Sequence, residues 1–246
     1  MHRLALATLV GCTLLPLAAQ AITLTDDLQL MLKPQVVSDY RSRGLSMSLG
    51  DPAAQLEATL LHSSGAYFGV WTSNVDFGLD LKTRLEQDFY AGYYKQFNDD
   101  VSLDLGYLKY TYAKEAQFNQ SEVYAILKAH GFKFASYYSN DLKNFVGDDQ
   151  DTLYTYIGYS HALPAETGLE VRYGRFDFKD DVFVSGSGST RGDYHEWEAR
   201  LTRSGFGLDW GLAYVDTDLS RNECASYYGY TDVCTATVVV SASKTF

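Results

Sequence analysis

The feature that most constrains this chain is an alternation of apolar and polar residues at period two, which recurs from about Leu28 to the last residues while no helical period persists anywhere. In Val101-Ser102-Leu103-Asp104-Leu105-Gly106-Tyr107, Val101, Leu103, Leu105 and Tyr107 share one face of an extended strand. Leu28, Leu30, Leu32, Pro34 and Val36 follow the same rule, as do Leu56, Ala58 and Leu60, then Val123, Ala125 and Leu127, then Leu208, Trp210, Leu212 and Tyr214. Two-faced strands in this number leave two architectures: a soluble all-β sandwich, or a closed sheet with its apolar face turned to lipid.

The connections favour the second. Short ones lie near Ser63-Ser64-Gly65, Asn98-Asp99-Asp100, His130-Gly131, Leu163 to Thr167 and Ser204-Gly205, and long ones cover roughly 44 to 54, 77 to 84, 113 to 121, 140 to 151, 179 to 193 and 217 to 234. Alternating sizes are what an outer-membrane barrel requires, with short periplasmic turns and longer outer loops. Five short and six long connections join twelve strands, an even number that puts both termini on the periplasmic side. The expected fold is therefore all-β, a transmembrane antiparallel up-and-down β-barrel of about twelve strands. Tyr, Phe and Trp number 20, 13 and 3, and pairs such as Phe89-Tyr90, Tyr93-Tyr94, Tyr137-Tyr138 and Phe176 with Phe178 read as interfacial girdles.

Residues 1–21 read as a secretory signal peptide: Met1-His2-Arg3, an apolar run from Leu4 to Leu17, and Ala19-Gln20-Ala21 as the cleavage site. Leu9-Val10-Gly11-Cys12 also matches a lipobox, but leaves too short an apolar region. Residues 22–246 then form the barrel domain. Loss of Arg3 makes the mature chain one charge more negative than the −11 of the whole, and with no Lys/Arg run a nucleic-acid partner is excluded. No later stretch approaches the ~20 apolar residues of a spanning helix. An oxidising compartment favours a loop disulfide between Cys224 and Cys234. The last strand, Thr235 to Phe246, ends on an aromatic and resembles the C-terminal signal read by the barrel assembly machinery, so Phe246 is the expected assembly signal.

Ser38-Asp39-Tyr40-Arg41-Ser42-Arg43-Gly44-Leu45-Ser46, with Gly50-Asp51-Pro52 and Gln55, resembles the TorF (Gcw_chp) family, bacterial proteins of unknown function named as porins by presumption. Similar blocks are Gly65 to Asp76, Asp88 to Tyr93, Glu122-Val123-Tyr124 and Val239 to Phe246, so the resemblance spans nearly all of the mature chain. It implies a porin-type barrel of the bacterial outer membrane, in contact with lipid and lipopolysaccharide, passing small polar solutes or ions, and carries no catalytic residue and no cofactor.

On that reading the polar face lines the lumen. Parity assigns it Lys33, Asp39, Arg41, Glu57, Glu86, Asp88, Asp104, Glu122, Lys128, Lys133, Glu170, Arg172, Glu196, Glu198, Arg200 and Asp209. A lipid-facing Lys or Arg would cost about 2–4 kcal/mol at midplane, which forces the charges inward. Their acidic excess predicts a modest cation preference if the lumen is open; salt-bridged shut, the same charges make a non-conducting structural or adhesion barrel. Asp39, Arg41 and Arg43 are either a pore-mouth charge cluster or pins that hold the first loop to the rim. A hydrolase is a third reading, resting on Asp193-Tyr194-His195-Glu196 alone, because no Gly-x-Ser-x-Gly, metal spacing or phosphate loop is present.

Overall fold

The computed structural model describes residues 21–143 and 147–246. All of the expected signal segment but Ala21, and positions 144–146 of the fourth long connection, lie outside the described residues.

Twelve strands form the wall: β1 (Leu28–Val37), β2 (Ala53–His62), β3 (Ala66–Asn74), β4 (Leu85–Asn98), β5 (Val101–Thr111) and β6 (Gln120–Ala129). They continue as β7 (Phe132–Lys143), β8 (Asp149–Leu163), β9 (Thr167–Asp177), β10 (Asp193–Gly205), β11 (Leu208–Thr217) and β12 (Thr237–Ser243). Each pairs antiparallel with its chain neighbours, and β12 returns to β1 through Ser241↔Val37, Ala242↔Val36 and Ser243↔Gln35, so the sheet closes as expected. Beyond β12 the seam continues: Lys244 N–H donates to Pro34 O at 3.2 Å, and Phe246 and Leu32 exchange backbone hydrogen bonds of 2.8 and 3.0 Å. Ile22 and Thr23 pair with Leu30 and Gln29, covering the part of β1 that β12 does not reach.

Alternation decides which face each residue takes. The outward side chains include Val36 and Val238, each 57% exposed, with Leu56, Phe68, Leu105, Val123, Phe134, Ile157 and Leu212 similarly uncovered. Such a band would forfeit roughly 1.5–3 kcal/mol per large side chain if left in water, and is the pattern of a lipid-facing wall. Phe89, Tyr93 and Tyr138 lie on that outer face, as a girdle requires. Tyr90 and Tyr137, expected beside them, turn inward because adjacent residues in a strand point to opposite faces, and Phe176 and Phe178, expected as a girdle pair, both pack into the buried cluster at the long-loop end.

The short connections gather at one end of the barrel and the long ones at the other. At the long-loop end, a dome packs Leu45 from the first connection, Phe178, Val182 and Phe183 from the fifth, and Leu219, Cys224, Val233 and Cys234 from the sixth onto Tyr154, Phe176 and Tyr194. Cys224 and Cys234 form the expected disulfide. The sixth connection also holds a helix, α1 (Arg221–Tyr228), closed by a capping box in which Ser220 and Glu223 satisfy each other's backbone N–H groups. Eight residues are too few to show a helical period, but Ser220-Arg221-Asn222-Glu223 carries the cap signature.

Candidate functional site

The first long connection folds into the barrel interior, where Arg43 meets Glu122. Asp39 anchors it, accepting from Arg41 Nε at 2.5 Å, Ser46 Oγ at 2.6 Å and Ser48 Oγ at 3.2 Å. Arg41 pairs with Ser46 and Ser42 with Leu45 in a two-residue hairpin whose central residues, Arg43 (φ 50°) and Gly44 (φ 85°), both adopt left-handed backbone. Gly44 has a second reason to be glycine, since a Cβ there would stand 2.4 Å from Thr217 Cγ2. Arg41 fastens the hairpin to the disulfide loop through Val233 O (2.8 Å) and Thr235 O (3.3 Å), and Tyr194 Oη donates to Arg43 O at 2.9 Å.

The hairpin tip thrusts Arg43 across the lumen. From the loop between β1 and β2 its guanidinium reaches Glu122 on β6, 2.6 and 2.7 Å from the two carboxylate oxygens, and packs over Tyr154 and Phe176 at 4.7 Å. Of the two readings of this cluster, Asp39 and Arg41 act as pins and Arg43 as a lumen group.

The rest of the interior is divided. On the β9–β10 wall, Arg172 meets Glu196 (3.2 Å) and Glu198 (3.0 Å), Arg200 meets Glu198 (2.6 Å), Tyr154 Oη donates to Glu196 (2.6 Å), and Lys133 on β7 reaches Glu170 (2.8 Å). On the β2–β5 wall the acids meet hydroxyls instead: Glu57 accepts from Tyr90 (2.9 Å), Asp104 from Tyr67 and Glu86 from Tyr40 (3.3 Å). Among the described residues, none of Glu57, Glu86, Asp88 and Asp104 joins an ion pair. Glu86 and Asp88 are 1% and 6% exposed, and Glu86 Oε2 and Asp88 Oδ1 have no hydrogen-bond partner. Lys33 and Glu57 stand in register on β1 and β2, while Lys128 and Asp209, near the short turns, are solvent-exposed.

Tyrosines lie along this acidic wall because glycines opposite make room. Tyr67 faces Gly92, Tyr90 faces Gly69 and Tyr124 faces Gly106. A Cβ at Gly92 would stand 2.2 Å from Tyr67 Oη and 2.6 Å from Leu105 O. The set chosen by parity contains the carboxylates of this wall but not its tyrosines, and it left Arg43 to the charge cluster with Asp39 and Arg41. Tyrosine is neither apolar nor charged enough to be sorted by parity, and Arg43 lies in a loop where parity has no meaning.

Above the hairpin, among the long loops, opens a cavity of about 720 Å³. Its walls are largely aromatic and aliphatic, its polar groups few. His195, the one histidine suspected of catalysis, sits outside this space, 3.3 Å from Asp218 and stacked on Tyr173.

A family model described as a bacterial protein of unknown function (Gcw_chp) matches residues 23–246. Among solved structures, the NanC porin is similar with a TM-score of 0.53 at 10% identity, over 87% of this chain and 97% of that one. The KdgM porin is similar with a TM-score of 0.52 at 10% identity, over 88% and 99%; a KdgM porin in complex with disordered oligogalacturonate gives 0.50 at 10%, over 88% and 98%. No curated protein matches the sequence.

Proposed function

The chain belongs to the Gcw_chp family of bacterial proteins of unknown function, and on that footing we propose that it is an outer-membrane porin passing small polar solutes or ions by passive diffusion. The observation that carries this reading is the closed twelve-stranded wall, apolar outside and charged inside, narrowed by Arg43 from a loop folded into the lumen. Its resemblance in fold to solved porins, and in sequence to the TorF group, supports the same reading. So does the expected signal peptide at 1–21, with both termini on the periplasmic side and insertion by the assembly machinery through the strand ending at Phe246.

Cation preference belongs to this proposal too. Glu196 and Glu198 are neutralised by Arg172 and Arg200, whereas Glu86 and Asp88 are opposed by no base among the described residues, and the selectivity is assigned to the latter pair. Purified protein in planar bilayers should give discrete single-channel currents with cation-selective reversal potentials, and Glu86→Gln with Asp88→Asn should move them toward neutrality. A folded, heat-modifiable sample that passes no current overturns the porin reading; unchanged selectivity in the double variant overturns the acidic-wall assignment.

A non-conducting barrel is favoured by one specific observation, the Arg43–Glu122 pair stretched across the lumen beneath a packed dome. The same current measurement decides between them.

A further inference from the structure

The cavity at the long-loop end combines two features that do not usually occur together. One wall is an edge-packed trio, Phe77, Tyr112 and Phe118, with ring centroids 5.4, 5.6 and 6.3 Å apart. Its floor contains the buried carboxylate of Glu86, which accepts from Tyr40 at Oε1 (3.3 Å) and has no hydrogen-bond partner within reach of Oε2. Burying a carboxylate oxygen without a partner is costly, and a native structure that does so calls for a cation or donor to complete it. Asp88, two residues along the same strand and on the same face, repeats the pattern with its own orphaned Oδ1.

The other charges around the cavity do not answer that need. Arg43 lines it but gives both of its short hydrogen bonds to Glu122 and is held between aromatic rings. Lys143 is paired with Asp149 at 2.6 Å, and Asp76 stands 3.6 Å from Arg84. Among the described residues around the cavity, an anionic ligand would find no unengaged base and two acids without a basic partner. A bare metal ion would find too few oxygen ligands and a mostly apolar wall. A neutral apolar molecule would fit the walls but leave Glu86 unsatisfied. What complements both features is an ammonium group carried on an apolar or aromatic body: the N–H groups meet Glu86, the positive charge lies near the ring faces, and the body fills the walls.

We propose that this vestibule binds small organic ammonium ions with an aromatic or aliphatic body, and, resting on the porin reading above, that such amines are solutes the barrel admits. Asp88 is then the next station inward.

The test uses the full barrel in detergent micelles, titrated calorimetrically with phenethylamine, its uncharged counterpart 2-phenylethanol and the anion 3-phenylpropanoate. Phenethylamine should bind at least ten-fold more tightly than either of the others. Glu86→Gln should reduce that preference to within two-fold, and Phe118→Ala should weaken the amine and the alcohol alike. Equal binding of amine and alcohol in the unaltered protein, or a preference that survives Glu86→Gln, overturns the proposal. Should Glu86→Gln not reach the heat-modifiable folded form, the ligand series on the unaltered protein and on Phe118→Ala decides it, an amine affinity undiminished in Phe118→Ala counting against. Amine-selective binding without ion current would retain the site and remove the channel reading, whereas current without amine preference would retain the channel and remove the site.

Discussion

Arg43 shows how much of this lumen hangs on one side chain. It is placed by a left-handed turn and consumed by a carboxylate nearly opposite, so removing it has two consequences of different kind. Arg43→Ala leaves the buried Glu122 without its cation, with Tyr110 Oη still donating to it at 2.9 Å, which should destabilise the barrel by about 3 kcal/mol, toward the lower end of the range for broken buried pairs; the midpoint of urea unfolding in detergent measures it. It also clears the lumen, so single-channel conductance should rise, and an unchanged conductance would mean that the hairpin does not lie on the ion path. At Gly92 the constraint is volume. An added methyl meets both the Tyr67 hydroxyl and a backbone carbonyl, so Gly92→Ala should cost about 1–3 kcal/mol by overpacking, against little effect of alanine at the open Gly205. The same urea midpoints compare them.

Among the elements, the sixth connection is the one whose order depends on conditions. Arg191, from the fifth connection, clasps Asp218 at 3.1 Å and Glu223 at 2.7 Å. Burial alone would raise both acids. For Asp218 the His195 backbone N–H and Arg191, and for Glu223 the Ser220 groups and Arg191, outweigh it and hold both below their ordinary values. A carboxylate depressed in the folded state contributes stability that is complete above its unfolded value, about 4, and is lost as pH falls through the lower folded value. Hydrogen exchange at 218–236 should therefore be slow at pH 7 and accelerate relative to the strands below about pH 4; protection unchanged to pH 2 would refute the clasp. The disulfide acts on the same element by closing a loop of sequence separation 10, worth roughly 3 kcal/mol in chain entropy. Reduction should expose this connection to protease while the strands stay protected and the band remains heat-modifiable.

For the whole molecule, closure is the property that matters, because an open edge in hydrocarbon leaves backbone groups unsatisfied at several kcal/mol each. The seam is narrower than the other junctions. β12 and β1 share three paired positions, and the residues after Ser243 add three further hydrogen bonds. Deleting Lys244 to Phe246 removes those three, so the truncated barrel should lose its heat-modifiable form at a markedly lower temperature than Gly92→Ala does. Equal thermal resistance to the full chain would show that β12 alone closes the seam.

The strand pattern, the strand count, the two classes of connection, the seam partner of the last strand and the disulfide were all legible in the residues themselves. Each follows from a local rule: period two sorts faces, turn residues interrupt it, and only two cysteines, Cys224 and Cys234, follow residue 21. Parity also selected Glu86, Asp88 and Glu122, but it could not distinguish an acid facing an arginine from one facing nothing. That distinction separates Glu196, held by Arg172, from Glu86, and it depends on which strands curve to face each other. The path of the first loop was likewise a tertiary decision. Asp39, Arg41 and Arg43 share a parity, yet Arg43 crosses to β6 because a two-residue left-handed turn, a carbonyl held by Tyr194 and a waiting Glu122 come together only once the barrel has closed.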